Sequence, residues 1–163
     1  MTLQIRRAVP GEARLVLSLI RELAEYERLA DKVDATEAMI EAALFSPGAT
    51  SVAEIAEWDG EVAGQALWFT NFSTFRGRSG LYLEDLYVRP AFRGRGIGKA
   101  LLGHLARECA ARGWPRMEWV VLDWNQPAID FYRSLGAKIA EDWRLCRLDG
   151  EALAALARDD GSS

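Results

Sequence analysis

Apolar residues recur along this chain with two periods, and the switches between them divide it into elements. Leu3–Val9 alternates and predicts a first strand, broken by Pro10 and Gly11. Leu15, Val16, Leu19, Ile20 and Leu23 share one face of a helix that runs to about Tyr26. Beyond the polar connection Ala30–Asp34, a second helix is predicted from Thr36, a capping residue type, to Phe45, with Pro47-Gly48 as its stop. Ser51–Trp58 and Glu61–Phe69 predict two strands. Asp59-Gly60 joins them, residue types that accept the positive φ angles of a type I′ hairpin turn. Thr70–Ser79 reads as a polar loop, and Leu81–Val88 as a buried strand interrupted only by Glu84 and Asp85 and ended by Pro90.

Ile97, Leu101, Leu102, Leu105 and Cys109 then mark a helix that begins at a run of glycines. Gly113 and Pro115 break it, and Met117–Leu122 predicts another apolar strand. Asn125 as cap and Pro127 in the first turn open a helix that carries Ile129, Phe131, Tyr132 and Leu135 and stops at Gly136. Trp143–Leu148 predicts a last strand, Glu151–Ala157 a short helix, and Asp159–Ser163 a disordered tail. The order βααβββαβαβ defines an α/β fold with a mixed central sheet. There is no repeat and no low-complexity linker, so residues 1–158 are expected to form a single domain.

The stretch Arg93-Gly94-Arg95-Gly96-Ile97-Gly98-Lys99 follows a predicted strand and opens a predicted helix. Alternate glycines let the backbone turn its N–H groups inward, and a helix N-terminus behind such a loop attracts anions. The dinucleotide pattern G-x-G-x-x-G fails, because Lys99 or Leu101 stands where its last glycine is needed. The P-loop pattern fails at Arg93 and Ala100. R-x-x-G-x-G, from Arg93 to Gly98, does fit, and it resembles the coenzyme A pyrophosphate loop of the GCN5-related N-acetyltransferases.

Composition narrows the setting. The 163 residues are half hydrophobic and 27% charged, as in a globular domain. A net charge of −4 argues against nucleic acid as partner. Cys109 and Cys146 show neither metal spacing nor a disulfide framework, and Cys109 lies on the apolar stripe of its helix. No leader is evident in MTLQIRRAVPGE and no run is long enough to span a membrane, so a reduced cytoplasmic setting is expected, with no metal and no membrane partner.

The order of elements, the Arg93–Gly98 loop and the segment D-W-N-Q-P-A-I-D-F-Y-R-S-L-G-A at Asp123–Ala137 resemble the GNAT superfamily of N-acetyltransferases over nearly the whole chain. Four segments resemble its diamine (spermidine/spermine) and thialysine acetyltransferase branch more narrowly: Glu22–Glu27, Tyr82–Val88, Trp124–Tyr132 and Trp143–Asp149. The resemblance implies a mostly antiparallel sheet, flanked by helices, that splays between its fourth and fifth strands, with acetyl-CoA as co-substrate in the wedge. It assigns Leu86 and Val88 to the pantetheine arm, and Arg93, Gly94, Arg95, Gly96, Ile97, Gly98 and Lys99 to the pyrophosphate. Asn125, Gln126, Pro127 and Ala128 would support the pantetheine side. It also implies a homodimer.

The chemistry so implied poses two proton problems. A CoA thiolate, with a solution pKa of about 8.5, leaves more readily if a donor protonates it, and Tyr132 matches the family's tyrosine. A primary alkyl amine, pKa about 10.4, is almost wholly protonated at neutral pH and must lose a proton before it attacks. Glu84 is the candidate base, directly or through water, with Asp85 orienting the cation. Tyr26, Glu27, Glu141 and Trp143 match acceptor-side positions, and Trp119 and Val120 lie close by in the predicted fifth strand. His104 is read as a surface residue.

Asn71–Arg78 carries no carboxylate and holds Arg76 and Arg78, where a polyamine site would favour negative charge. That departure points to an acceptor with its own carboxylate, a lysine-like amino acid, paired to one of these arginines. The function so implied is direct acetyl transfer to a primary amine of a small molecule, a diamine or polyamine or a lysine-like amino acid; acetylation of a protein or peptide amine, and acetyl-CoA sensing without turnover, are the alternatives.

Overall fold

The computed structural model describes residues 1–159 and 161. Asp160, Ser162 and Ser163, part of the expected disordered tail, lie outside the described residues. The chain forms two compact units, Met1–Leu122 and Asp123 onward.

The first unit is built on a five-stranded sheet of order β1 (Leu3–Arg7), β2 (Ser51–Trp58), β3 (Glu61–Ser73), β4 (Arg78–Val88) and β5 (Met117–Glu118). The first three pairings are antiparallel and β4–β5 is parallel. Helices α1 (Ala13–Tyr26) and α2 (Glu37–Phe45) bury a core of Val16, Leu19, Ala53, Ile55 and Tyr87. Helix α3 (Ile97–Arg112) packs on the sheet and buries Ile97, Leu101, Leu102, Leu105 and Cys109. Thr36 caps α2 as its residue type predicts, its hydroxyl accepting the Met39 N–H at 3.2 Å. Asp59 and Gly60 both take positive φ, 51° and 84°, in the β2–β3 hairpin.

Gly64 is required by a close approach. A Cβ there would stand 2.3 Å from the Tyr87 carbonyl oxygen, so the β3–β4 ladder closes at this level only around glycine.

Three expectations change. The predicted loop Thr70–Ser79 is mostly strand, because Thr70, Asn71, Phe72 and Ser73 pair with Leu81, Gly80, Ser79 and Arg78. Its polar and aromatic residues carry no alternating apolar signal, since this arm of the hairpin leaves Phe72 and Phe75 exposed. The predicted strand Met117–Leu122 shrinks to Met117–Glu118, paired with Leu81 and Tyr82. The predicted strand Trp143–Leu148 is not a strand, and all six of its residues are exposed. A strand persists only where a neighbour satisfies its backbone groups, and among the described residues no ladder reaches this segment.

The second unit holds α4 (Gln126–Ser134) and α5 (Gly150–Arg158). Asn125 caps α4, its side-chain oxygen accepting the Ala128 N–H at 3.4 Å, and Pro127 sits in the first turn. Gly136 follows the helix at φ 89°.

Candidate active site

β5 leaves β4 after two residue pairs, while β4 continues to Val88. Among the described residues no strand covers the edge of β4 from Leu83 to Val88 on that side. This is the splay expected between the fourth and fifth strands. Leu86 and Val88 sit on the divergent stretch, opposite Ala66 and Gly64 of β3. A free strand edge is a row of backbone donors and acceptors, suited to an amide-bearing chain such as pantetheine.

β4 ends at Arg89-Pro90 and gives way to the loop. Gly94 and Gly96 adopt left-handed φ of 78° and 76°. No atom lies within 4 Å of a Cβ added at either, so backbone conformation and not space demands glycine. Gly96 is the residue before α3, and its carbonyl accepts the Ala100 N–H at 2.9 Å. The N–H groups of Ile97, Gly98 and Lys99 precede that first bond and lie at the positive end of a 16-residue helix. Gly94, Arg95, Gly96 and Lys99 are exposed. The loop thus presents backbone donors to solvent at a helix N-terminus, an anion site that fits a pyrophosphate.

The two loop arginines pack on aromatic rings. Arg95 lies 5.2 Å from the Trp58 ring and 5.4 Å from that of Phe92. Arg93 donates Nε–H to the Val88 carbonyl at 2.9 Å and lies 5.0 Å from the Tyr26 ring. Tyr26 is therefore drawn to the loop.

Carboxylates gather on β4. The β3–β4 register steps between Leu67↔Asp85 and Trp68↔Leu83, so Glu84 has no residue opposite and sits in a bulge. Bulges re-aim side chains, and here Glu84 is exposed while Asp85 is half-buried. Burial, then the negative charges of Glu84 and Glu27, push the Asp85 carboxyl up to about 6. Burial also raises Glu27. Three acidic groups, from the end of α1 and from the bulge, thus share one field, and a cation placed among them would relieve it.

In the second unit, Tyr132 is buried on α4, its ring 5.5 Å from that of Phe131. Asn125 is buried, Ala128 half-buried, and Gln126 donates to Asp130 at 2.7 Å. Glu141 is exposed and pairs with Arg133 at 3.6 Å, and Trp143 is 78% exposed. In the first unit, Trp119 and Val120 follow β5, and Val120 is exposed.

Arg76 and Arg78 do not take the role expected of them. Arg78 begins β4, and at about 3.3 Å per residue it lies about 20 Å along the strand from Asp85. Neither arginine reaches an acceptor held at the bulge of the same chain.

Glu22 and Arg89 were not singled out by sequence. Arg89 donates Nε–H to both Glu22 oxygens, at 3.2 and 3.1 Å, and Nη2–H to Oε1 at 2.9 Å. The available signal was a matched spacing: Glu22 and Tyr26 are four apart on α1, as are Arg89 and Arg93 around the loop. His104 contributes away from the bulge, its Nε2 3.5 Å from the buried Glu54 carboxylate.

A sheet open beside a glycine loop at a helix N-terminus defines the class, and comparison with known proteins agrees. Residues 16–137 match the Acetyltransferase (GNAT) family, and the chain belongs to that family. It is an acetyltransferase. It is 42% identical to the thialysine N-epsilon-acetyltransferase of Bos taurus, over 94% of this chain and 96% of that one. It is 33% identical to the L-ornithine N5-acetyltransferase of Arabidopsis thaliana, over 94% and 87%. Among solved structures it resembles an integron cassette protein from V. cholerae, with a TM-score of 0.82 and 28% identity over 98% and 99% of the two chains.

Proposed function

We propose that this acetyltransferase moves an acetyl group from acetyl-CoA to the terminal primary amine of a small lysine- or ornithine-like amino acid. The observation that carries the reading is the Glu27–Glu84–Asp85 carboxylate group beside the open edge of β4. It suits an alkylammonium. The two relatives described above are named for amino-acid acceptors with a side-chain amine.

Acetyl-CoA, when bound, supplies an acetyl thioester. Leu86 and Val88 hold the pantetheine arm through the strand edge, and the N–H groups from Gly94 to Lys99 hold the pyrophosphate. Asn125–Ala128 support the pantetheine side. Asp85 and Glu27 hold the ammonium, and Glu84 takes its proton, directly or through water. The neutral nitrogen attacks the thioester carbon directly. As the C–S bond breaks, Tyr132 would donate its hydroxyl proton to the sulfur and regain one from the acylated nitrogen, which sheds its second proton to become the amide, while the proton on Glu84 passes to water.

A homodimer is part of the proposal. Phe72 and Phe75 of the β3–β4 hairpin, and Trp143, Leu145, Leu148, Leu153 and Leu156 in the second unit, are exposed apolar surface suited to a second copy. A cytoplasmic setting, with neither nucleic acid nor membrane as partner, completes it. Among the described residues no helix is long and apolar enough to cross a membrane, and no group of three or more His, Cys, Asp or Glu residues is placed to hold a metal.

The test is CoA thiol release from acetyl-CoA with thialysine, lysine, ornithine, putrescine, spermidine and a short peptide. Turnover at least about tenfold faster with the amino acids than with the polyamines is expected. Preference for spermidine would move the acceptor to the polyamine class, and preference for the peptide to a protein substrate. Tight acetyl-CoA binding without turnover would indicate a sensor.

A further inference from the structure

Two contacts tie the last turn of α1 to the backbone that leads into the glycine loop. The first is the Glu22–Arg89 pair, in which three N–H···O contacts between 2.9 and 3.2 Å hold a guanidinium against one carboxylate. Arg89 is anchored on its other side as well: Nη1–H donates to the Val62 carbonyl at 3.0 Å, and its backbone N–H to the Ala63 carbonyl at 2.8 Å. The second contact is Tyr26–Arg93, with Arg93 also fixed to the Val88 carbonyl. Glu22 and Tyr26 lie one helical turn apart, and their partners Arg89 and Arg93 flank Pro90–Phe92, the single 3-10 turn between β4 and the loop.

This geometry gives the α1 terminus and the loop few independent motions. Glu27, the residue after Tyr26, shares the field of Asp85 and Glu84, and Gly94 opens the glycine loop. A change in the position of α1 that improves contact with an ammonium must move Arg89 and Arg93 with it.

We propose that Glu22 and Arg89 are positioning residues that couple the two ligand sites, so that an amine acceptor bound at the α1–β4 carboxylates tightens the hold of the loop on CoA, and CoA tightens the hold on the acceptor. The inference rests on the functional reading above, which puts CoA at the loop and the amine at the carboxylates. Neither residue touches a ligand in it. By linkage the gain is reciprocal, and couplings of this kind run from about 5-fold to 150-fold.

The measurement is calorimetric titration of the full chain with CoA, which cannot transfer acetyl, in the absence and presence of saturating thialysine or spermidine. In the unaltered protein the better acceptor is expected to tighten CoA binding at least about fivefold. Glu22→Gln keeps the shape of the side chain and removes its charge. It is expected to bring that factor to about one, with affinity for CoA alone and the unfolding midpoint little changed. Arg89→Lys keeps a charge but not the two-pronged geometry, and is expected to retain part of the factor. A factor unchanged in Glu22→Gln overturns the coupling. So does a factor of one in the unaltered protein, or equal loss of CoA binding with and without acceptor. If the unaltered protein binds neither CoA nor any acceptor, the functional reading itself fails, and the coupling with it.

Discussion

Glu84 and Asp85 are adjacent in sequence but differ in surroundings: Asp85 is paired across the ladder with Leu67 and half-buried, whereas Glu84 sits in the bulge with no residue opposite and is exposed. Burial and the neighbouring charges of Glu84 and Glu27 raise the Asp85 carboxyl to about 6, so its charge changes within the range in which the proposed acceptor site would work.

The pH dependence follows. Asp85 must be ionised to hold an ammonium, so kcat/KM for the amine should rise through about pH 6. Asp85→Asn should lower kcat/KM at least about tenfold at pH 7.5, the size of a lost charge-assisted contact, and remove that bend from the profile. Stability runs the other way. A carboxyl whose folded pKa is raised contributes stability below its unfolded value near 4, and that contribution is lost as pH rises through about 6. Asp85→Asn should therefore stabilise the protein above pH 6, measured as a higher thermal midpoint.

Tyr132→Phe leaves the buried ring beside Phe131 and removes only the hydroxyl. A general acid contributes about 100-fold or more, so kcat should fall at least tenfold while KM for acetyl-CoA changes by less than about twofold. A fall in stability with kcat intact would make Tyr132 a packing residue.

Gly96→Ala tests the cradle. No atom blocks the added methyl group, but φ is 76°, and a left-handed alanine costs about 1–2 kcal/mol. That strain relaxes by turning the N–H groups of the first turn, so KM for acetyl-CoA should rise about fivefold or more with KM for the amine unchanged.

Gly64→Ala tests the wall behind the site. Its methyl group would meet the Tyr87 carbonyl at 2.3 Å, and the nearest atoms are all backbone of Tyr87 and Val88, with no flexible side chain to yield. The expected loss is about 1–3 kcal/mol, seen as a drop of several degrees in the thermal midpoint.

Glu54 tests the opposite contacts. It is 1% exposed, and its carboxylate accepts from Arg7 at 3.0 Å and from the Trp68 indole at 3.4 Å. Glu54 is buried while Arg7 is half exposed, so Arg7→Met leaves the carboxylate short of one charge-assisted contact and should destabilise by about 1–3 kcal/mol at neutral pH. Glu54→Gln with Arg7→Met should recover part of that loss in chemical denaturation.

The sequence by itself determined whatever depends on neighbours along the chain. The periodicity of Leu15, Leu19 and Leu23 set α1, Asp59-Gly60 turned the hairpin, Asn125 and Pro127 opened α4, and the spacing of Gly94, Gly96 and Gly98 marked the cradle. Each is a local preference of φ, capping or face. Tertiary structure decided whatever depends on a partner far away in the chain. Met117–Leu122 and Trp143–Leu148 have strand composition, yet only Met117–Glu118 finds a ladder, because composition does not supply the neighbour whose backbone groups must be met. Burial made Asp85 the raised carboxyl, although Glu84 reads identically in a one-dimensional pattern. Arg93 reads as a phosphate ligand and also stacks on Tyr26, 67 residues earlier, and Arg89 reads as a surface charge but clamps Glu22, because only the folded sheet brings the end of α1 to the end of β4.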